Sequence, residues 1–385
     1  MLEFLKRLGL ARSERKALVK FISWQSLGQA YWPSRDPAAF AREGYAKNAI
    51  AYRCVRLIAE AAASAPLKVT PAQHPLAALL AKPNPEQTGV ELFEAFFGHL
   101  QVSGNAYLEA AGFEDTPPNE LYALRPDRMR VLPGPNGWPI GWEHRAGNHV
   151  RRFDRDPLTE RAPILHLKLF HPADDWLGLS PMEAAAYAID IHNAGGAWNK
   201  ALIDNAARPS GALVYSGAGG ADRLSEEQFQ RLKAELQEAH VGAANAGRPL
   251  LLEGGLDWKP MSFTPADMDF IEARHAAARE IALAFGVPPM LLGIPGDNTY
   301  SNYREANLAF WRQTALPLAF KAARAIEAWL GERWAGAPAS ISVDLEAVPA
   351  LAEERDALWA RIAAADFLRE AEKRTLVGLD EGAAP

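Results

Sequence analysis

The side chains able to do chemistry are few, and their spacing suits none of the reactions they could perform. His166 and His171 stand near Asp174 and Asp175, four groups of the kinds that ligate a transition metal. They match no familiar ligand spacing. On a strand, residues five apart face opposite sides, so the two histidines would converge only if the strand ended between them. His275 with Glu272, and His240 with Glu238, read as surface groups on helices rather than acid and base partners. Over residues 212–241 a strand, a glycine-rich turn and a helix follow one another in the order of a phosphate-binding loop. The turn lacks the lysine of GxxxxGK, and after Gly217 and Gly219 no third glycine completes a dinucleotide fingerprint. A hydrolase or nucleotide-binding enzyme using the turn from Gly217 to Gly220 is therefore the alternative reading, and a flexible turn the simpler one. No GxSxG, HExxH or CxxC occurs. We expect no catalytic residue, no metal site, no cofactor and no enzyme.

The 385 residues, about half of them apolar, allow two or three lobes around a sizeable core. The single cysteine, Cys54, lies in an apolar stretch, so one subunit can build neither a disulfide framework nor a thiolate metal site; a reducing, intracellular setting fits. Residues 1–21 mix Leu and Phe with six cations from Lys6 to Lys20 and lack the apolar run of a signal peptide. Elsewhere Pro or Gly interrupts apolar runs before the roughly 20 residues of a membrane span, so a soluble protein is expected. Residues 1–45 read as a solvated basic arm, with contact to a membrane or acidic partner as the alternative. A net charge of -6 argues against a protein that grips phosphates by counterion release, yet leaves DNA possible as a passenger.

These side chains must be carried by a mixed α+β frame. Apolar residues at helical spacing predict a helix over residues 48–64, ended by Pro66 and followed by a short strand at 67–69. Thr88 and Glu91 form a capping box for a helix bearing Leu92, Phe93, Phe96, Phe97 and Leu100, closed by Gly104. Strands follow at 107–110, 121–124, 129–132, 140–144 and 164–170, separated by turns such as Pro135-Asn136-Gly137. Ser180 and Pro181 then open a helix running to about residue 207. Gly195 and Gly196 in its middle cost about 1 kcal/mol each against alanine, which fits close approach of another helix or, alternatively, a kink. A strand at 211–215, a turn at 216–221, a helix at 229–241 capped by Ser225 and Gln228, and a hairpin of 250–252 with 256–261 form a small insertion. Thr264-Pro265-Ala266-Asp267 opens a second long helix that Gly286 and Pro288-Pro289 terminate. Residues 290–302 read as a loop, 303–334 as an amphipathic helix kinked at Pro317, 340–345 as a strand and 350–372 as a terminal helix.

Several segments in order resemble the portal proteins of tailed bacteriophages, of the compact Hong Kong-type siphophage kind also found in gene transfer agents. They are His74-Pro75-Leu76 with Leu79-Leu80 and Pro83-Asn84-Pro85; Gly104-Asn105-Ala106-Tyr107-Leu108; Glu120-Leu121 with Leu124-Arg125-Pro126; and Gly178-Leu179-Ser180-Pro181. Leu224-Ser225-Glu226-Glu227-Gln228, Asn245-Ala246-Gly247-Arg248-Pro249, Leu252-Glu253-Gly254-Gly255, Ile281-Ala282 with Phe285-Gly286-Val287-Pro288-Pro289, and Ser301-Asn302 continue the series. Each is weak alone. Their collinear spread from about residue 48 to 335 carries the resemblance.

The resemblance implies a portal-like α+β fold and a dodecameric ring at one capsid vertex of a virion or virion-like particle, assembled in the host cytoplasm. Double-stranded DNA would be packaged and released through it, and the terminase large subunit, a head-tail adaptor and the major capsid protein would be its partners. By position, residues 1–45 are an arm, 46–180 and 304–348 the wing, 181–208 and 264–287 the stem, 209–263 the clip, 288–303 the tunnel loop and 349–385 a short crown. Asp297, Asn298, Thr299, Tyr300, Ser301, Asn302, Tyr303 and Arg304 would face DNA. Glu226, Glu227, Arg231, Lys233 and Glu235 would dock partners at the clip, and Gly195 and Gly196 would pack the stem. A protein-binding adaptor or scaffold that encloses no DNA is the third reading.

Overall fold

Asn48 opens the first long helix because its side-chain oxygen accepts the otherwise unpaired amides of Ile50 and Ala51. That helix, α1 (Ala49–Ser64), belongs to a computed structural model that describes residues 37–112, 116–135, 137–157, 159, 161–204, 211–215, 225–240, 256–260, 270–296, 300–334 and 337–377. The last part of the stretch read as an arm is folded: residues 37–45 are helical, and Phe40 is buried in a core with α1. One face of α1 gives Cys54, Val55 and Ile58 to that core, while Ala59, Ala62 and Ala63 enter a second, larger one. After Pro66 comes β1 (Leu67–Thr70).

The sequence reading passed over α2 (Pro75–Ala81), which starts where His74 Nδ1 accepts the Leu76 amide and Pro75 occupies the first turn. The expected capping box forms. Thr88 and Glu91 exchange hydrogen bonds at the start of α3 (Gly89–Ser103), whose Leu92, Phe93, Phe96, Phe97 and Leu100 are buried in the larger core.

Strands β2 (Asn105–Ala111), β3 (Glu120–Leu124), β4 (Met129–Pro133), β5 (Pro139–Ala146), β6 (His149–Asp154) and β7 (Ile164–Lys168) form two antiparallel sheets, ordered β3-β2-β7 and β4-β5-β6. The five expected strands are all present, whereas β6 was unforeseen. Trp142 and Phe153, opposite one another on β5 and β6, bury the inner face of the second sheet with Val131 and Ile164.

The helix expected from 181 to 207 is two pieces, α4 (Pro181–Ala184) and α5 (Ala186–Asp204), and residues 205–207 lie outside the described part. The break is at Ala185 (φ -87°, ψ 0°), not at the glycine pair. Each piece has its own anchor: Met182 is wholly buried beside Gly44, and α5 packs along a later helix. In the insertion, β8 (Gly211–Tyr215) pairs antiparallel with β9 (Leu256–Pro260), and α6 (Glu226–His240) lies between them in sequence. Residues 250–255, where the other half of the expected hairpin falls, lie outside the described residues, as does the cap expected at Thr264.

α7 (Phe270–Ala284) ends as expected at Gly286, φ 66°. The segment read as a loop is partly regular: residues Pro289–Leu292 form a 3-10 turn, and α8 (Tyr300–Phe310) begins before residue 302. Pro317 has no N–H to offer the carbonyl four residues back. The chain accommodates this in a π turn, Trp311–Ala315, where Leu316 N–H reaches Trp311 O, before α9 (Leu316–Leu330) continues. β10 (Ser340–Val343) pairs with β1, Leu67 opposite Val343. The single terminal helix expected at 350–372 is instead a 3-10 turn followed by α10 (Ala352–Ala363) and α11 (Glu370–Leu376). Glu372 accepts the Arg369 amide at 2.9 Å and so caps a new start.

Candidate functional site

The site is built from a junction that aims α4 and α5 and from the helix α7 packed against them. Gly104 closes α3 at φ 74°, and a Cβ there would stand 2.3 Å from Gly178 O. The reciprocal Cβ on Gly178 would stand 2.1 Å from Gly104 O, so the two backbones meet only because both residues are glycine. Asn105 sits in the crossing. Its Oδ1 accepts from Gly178 N at 2.8 Å and from His166 Nε2 at 2.9 Å, while its Nδ2 donates to Ser103 O at 2.8 Å. His166 stacks on Tyr107 with ring centroids 4.3 Å apart. Burial, assisted by Lys168, brings its pKa down to about 3, so the ring is a neutral structural donor. Two residues past Gly178, Ser180 Oγ accepts the Met182 amide and donates to Gln101 O and Val102 O, fixing the start of α4 to the end of α3.

Further along, Asn48 holds α5 to the start of α1: its Nδ2 donates to Asn193 Oδ1 at 3.0 Å and lies 3.2 Å from His192 Nδ1. Gly195 is the close-approach residue. A Cβ on it would sit 3.0 Å from Arg274 Cγ on α7, whereas a Cβ on Gly196 meets nothing within 4 Å. Within the subunit, and among the described residues, Gly195 is thus the glycine that faces α7. At the far end of α7, Gly286 O accepts from Thr314 Oγ1 at 2.6 Å in the π turn, and Arg279 donates to Pro295 O.

The residues expected to face DNA fall into three groups. Asp297, Asn298 and Thr299 lie outside the described residues, and Tyr300 to Arg304 belong to the start of α8. Tyr303 is half exposed, and Arg304 pairs with Glu353 at 3.2 Å, which partly neutralises it. On α6, Glu226, Glu227, Arg231 and Lys233 are exposed, while the Glu235 side chain lies outside the described part.

His166, His171, Asp174 and Asp175 are not gathered into a ligand set. His166 is committed to Asn105, His171 accepts the Ala173 amide, and Asp174 caps the Trp176 and Leu177 amides. Among the described residues no group of three or more His, Cys, Asp or Glu could hold a metal. Cys54 is fully buried, which pushes its thiol up to about 12 and leaves it inert. The turn at Gly217 to Gly220 lies outside the described residues.

The profile of the phage portal protein family matches residues 49–378, nearly the whole described fold. The chain belongs to that family. It is a structural, non-enzymatic portal protein, and the resemblance carried by the collinear segments holds. A chain from the neck of a native gene transfer agent particle, computed with C12 symmetry, superposes with a TM-score of 0.71 at 55% identity, over 91% of this chain and 96% of that one. A protein of Rickettsia bellii (strain RML369-C) is 44% identical over 344 residues, 88% of each chain. The portal protein of Enterobacteria phage HK97 is 27% identical over 297 residues, 72% of this chain and 66% of that protein. The junction glycines, the Asn105 crossing and the Gly195 contact are thus features of a portal subunit's frame. That Gly104 and Gly178 touch is not written in the sequence, where the only signal is two isolated glycines, one between Ser103 and Asn105 and the other between Leu177 and Leu179.

Proposed function

We propose that this portal protein forms a dodecameric ring at one capsid vertex of a phage or gene transfer agent particle, passing double-stranded DNA during packaging and ejection. The α5–α7 pair carries the reading: the chain leaves it at Asp204, returns at Phe270, and the helices approach closely where Gly195 faces Arg274. Two packed helices with an insertion at one end suit a channel wall that presents a docking module. The twelvefold neck of the 55% identical relative supports the count.

In this assignment residues 181–208 and 264–287 are the stem, and 209–263 the clip, which docks the terminase large subunit and the head-tail adaptor through Glu226, Glu227, Arg231, Lys233 and Glu235. Residues 288–303 are the tunnel segment, whose last four residues begin α8. The wing comprises 46–180 with 304–348, the crown is 349–385, and the major capsid protein surrounds the ring. A net charge of -6 per copy, and an Arg304 already paired, suit a bore that lets a polyanion slide. Electron microscopy of the purified protein tests this: rings with a bore wide enough for a duplex are expected. A protein that stays monomeric under every assembly condition would refute it.

A further inference from the structure

Between the β4-β5-β6 sheet and the outer side of α9 lies a cleft of about 1120 Å³ that the channel reading does not use. Its cations outnumber its carboxylates, Arg155, Arg161, Lys168 and Arg333 against Asp175 and Glu332. Among the described residues, neither Arg161 nor Arg333 is paired with a carboxylate. Arg333 donates to Ala162 O at 2.8 Å, and burial together with Arg161 nearby presses its pKa down, so a further anion would relieve both guanidiniums. Trp142, 3% exposed, also lines the cleft, and its Nε1–H has no acceptor among the described residues. At the rim Trp138 is 80% exposed, and Trp176 is held beside it by Nε1 donating to Gly137 O.

An indole donor and two crowded guanidiniums call for carboxylates, and the exposed indoles call for an aromatic or aliphatic anchor. The cleft is larger than the roughly 300–1,000 Å³ typical of a small-molecule site, which favours a peptide segment. The chain offers such a segment. Phe367, 86% exposed in the turn between α10 and α11, stands between Asp366 and Leu368, with Glu370 close behind. Neither carboxylate is paired with a cation among the described residues.

We propose that in the assembled ring the cleft of one subunit receives the turn at residues 366–370 of a neighbouring copy, Phe367 against Trp138 and Trp176, and Asp366 and Glu370 against Arg161 and Arg333. The inference rests on the ring reading above. Full-length protein carrying Trp138→Cys and Phe367→Cys, assembled and treated with a short bismaleimide, should give a ladder of covalent oligomers on a denaturing gel, while either single variant stays monomeric. Cys54, buried and unreactive, does not interfere. In parallel, Arg161→Glu with Arg333→Glu should lower the ring fraction at least tenfold at fixed concentration, and adding Asp366→Arg with Glu370→Arg in the same chain should restore it. Wild-type protein that makes no rings overturns both readings. Rings without cross-linked dimers, bridges confined within one chain, or a charge swap that restores nothing overturn the cleft assignment alone.

Discussion

Gly195 and Gly196 are adjacent in one helix yet face different surroundings, so the same substitution should act differently at each. Replacing a helical glycine by alanine gains about 0.8–1 kcal/mol in backbone propensity. At Gly196 the new Cβ meets nothing within 4 Å, so Gly196→Ala should keep that gain. At Gly195 it would lie 3.0 Å from Arg274 Cγ and 3.2 Å from Cδ, so the arginine must retreat by a few tenths of an ångström. Arg274 Nε is buried with no partner among the described residues, which leaves that stem little room to adapt. The retreat should consume most of the gain, placing Gly195→Ala about 1 kcal/mol below Gly196→Ala. Gly195→Val adds two further methyls to the same gap and should destabilise by about 1–3 kcal/mol. Urea midpoints at one protein concentration, with unchanged slope, read all three. Equal shifts for the two alanine variants, or a wild-type midpoint for Gly195→Val, would refute the packing of α5 on α7 at this point.

Gly104→Ala combines a left-handed backbone with a Cβ 2.3 Å from a carbonyl oxygen and should cost about 3 kcal/mol or more, whereas Gly137→Ala, at φ 78° in open space, should cost only about 1–2; thermal melting and soluble yield compare them. His166 is neutral when folded, with its pKa near 3, and unfolding returns it toward about 6.5. The unfolded chain therefore binds a proton that the folded one refuses. This contribution to stability is complete above pH 6.5 and is lost as the pH falls toward 3, with a slope of at most about 1.4 kcal/mol per pH unit that His166→Gln should remove from midpoints measured between pH 7 and 4. Deleting residues 297–299 should leave rings intact in the microscope while reducing DNA retained in particles; loss of the rings would instead place the segment in a subunit contact.

Elements with local signals were legible. Thr88, Glu91 and Gly104 announce both ends of α3 by chemistry within one turn, and Asn48 lies at the start of the apolar periodicity of α1. β6 escaped because His149, Val150, Arg151 and Arg152 are all exposed, leaving no alternation to detect. α2 is short and is capped by a histidine, a poor predictor of a helix start. The division of the terminal helix follows from Glu372 turning back to Arg369, a pairing that helix-interior charges also mimic. At the site, the helix pair was visible, but the contact that orders it is not written locally: Asn105, His166 and Gly178 meet from positions up to 73 residues apart. The cleft was wholly illegible, since its lining runs from Gly137 to Arg333 and has no recurring spacing.

The π turn ahead of Pro317 sets a rotational phase. Phe310 and Ala315 enter the core that holds Ile58 and Ile281, whereas Leu316, Ala319, Ala323 and Ile326 enter the larger core with Phe96, and Trp311 and Leu318 touch both. One continuous rod thus serves two cores, and the five-residue turn is where its facing is dialled. Arg312 and Gln313 are exposed there and can vary in kind. Their number cannot, because removing one residue would turn everything downstream by about 100° and present the polar side of α9 to the larger core. Through this rod the count of residues, rather than their identity, keeps the two halves of the subunit in register.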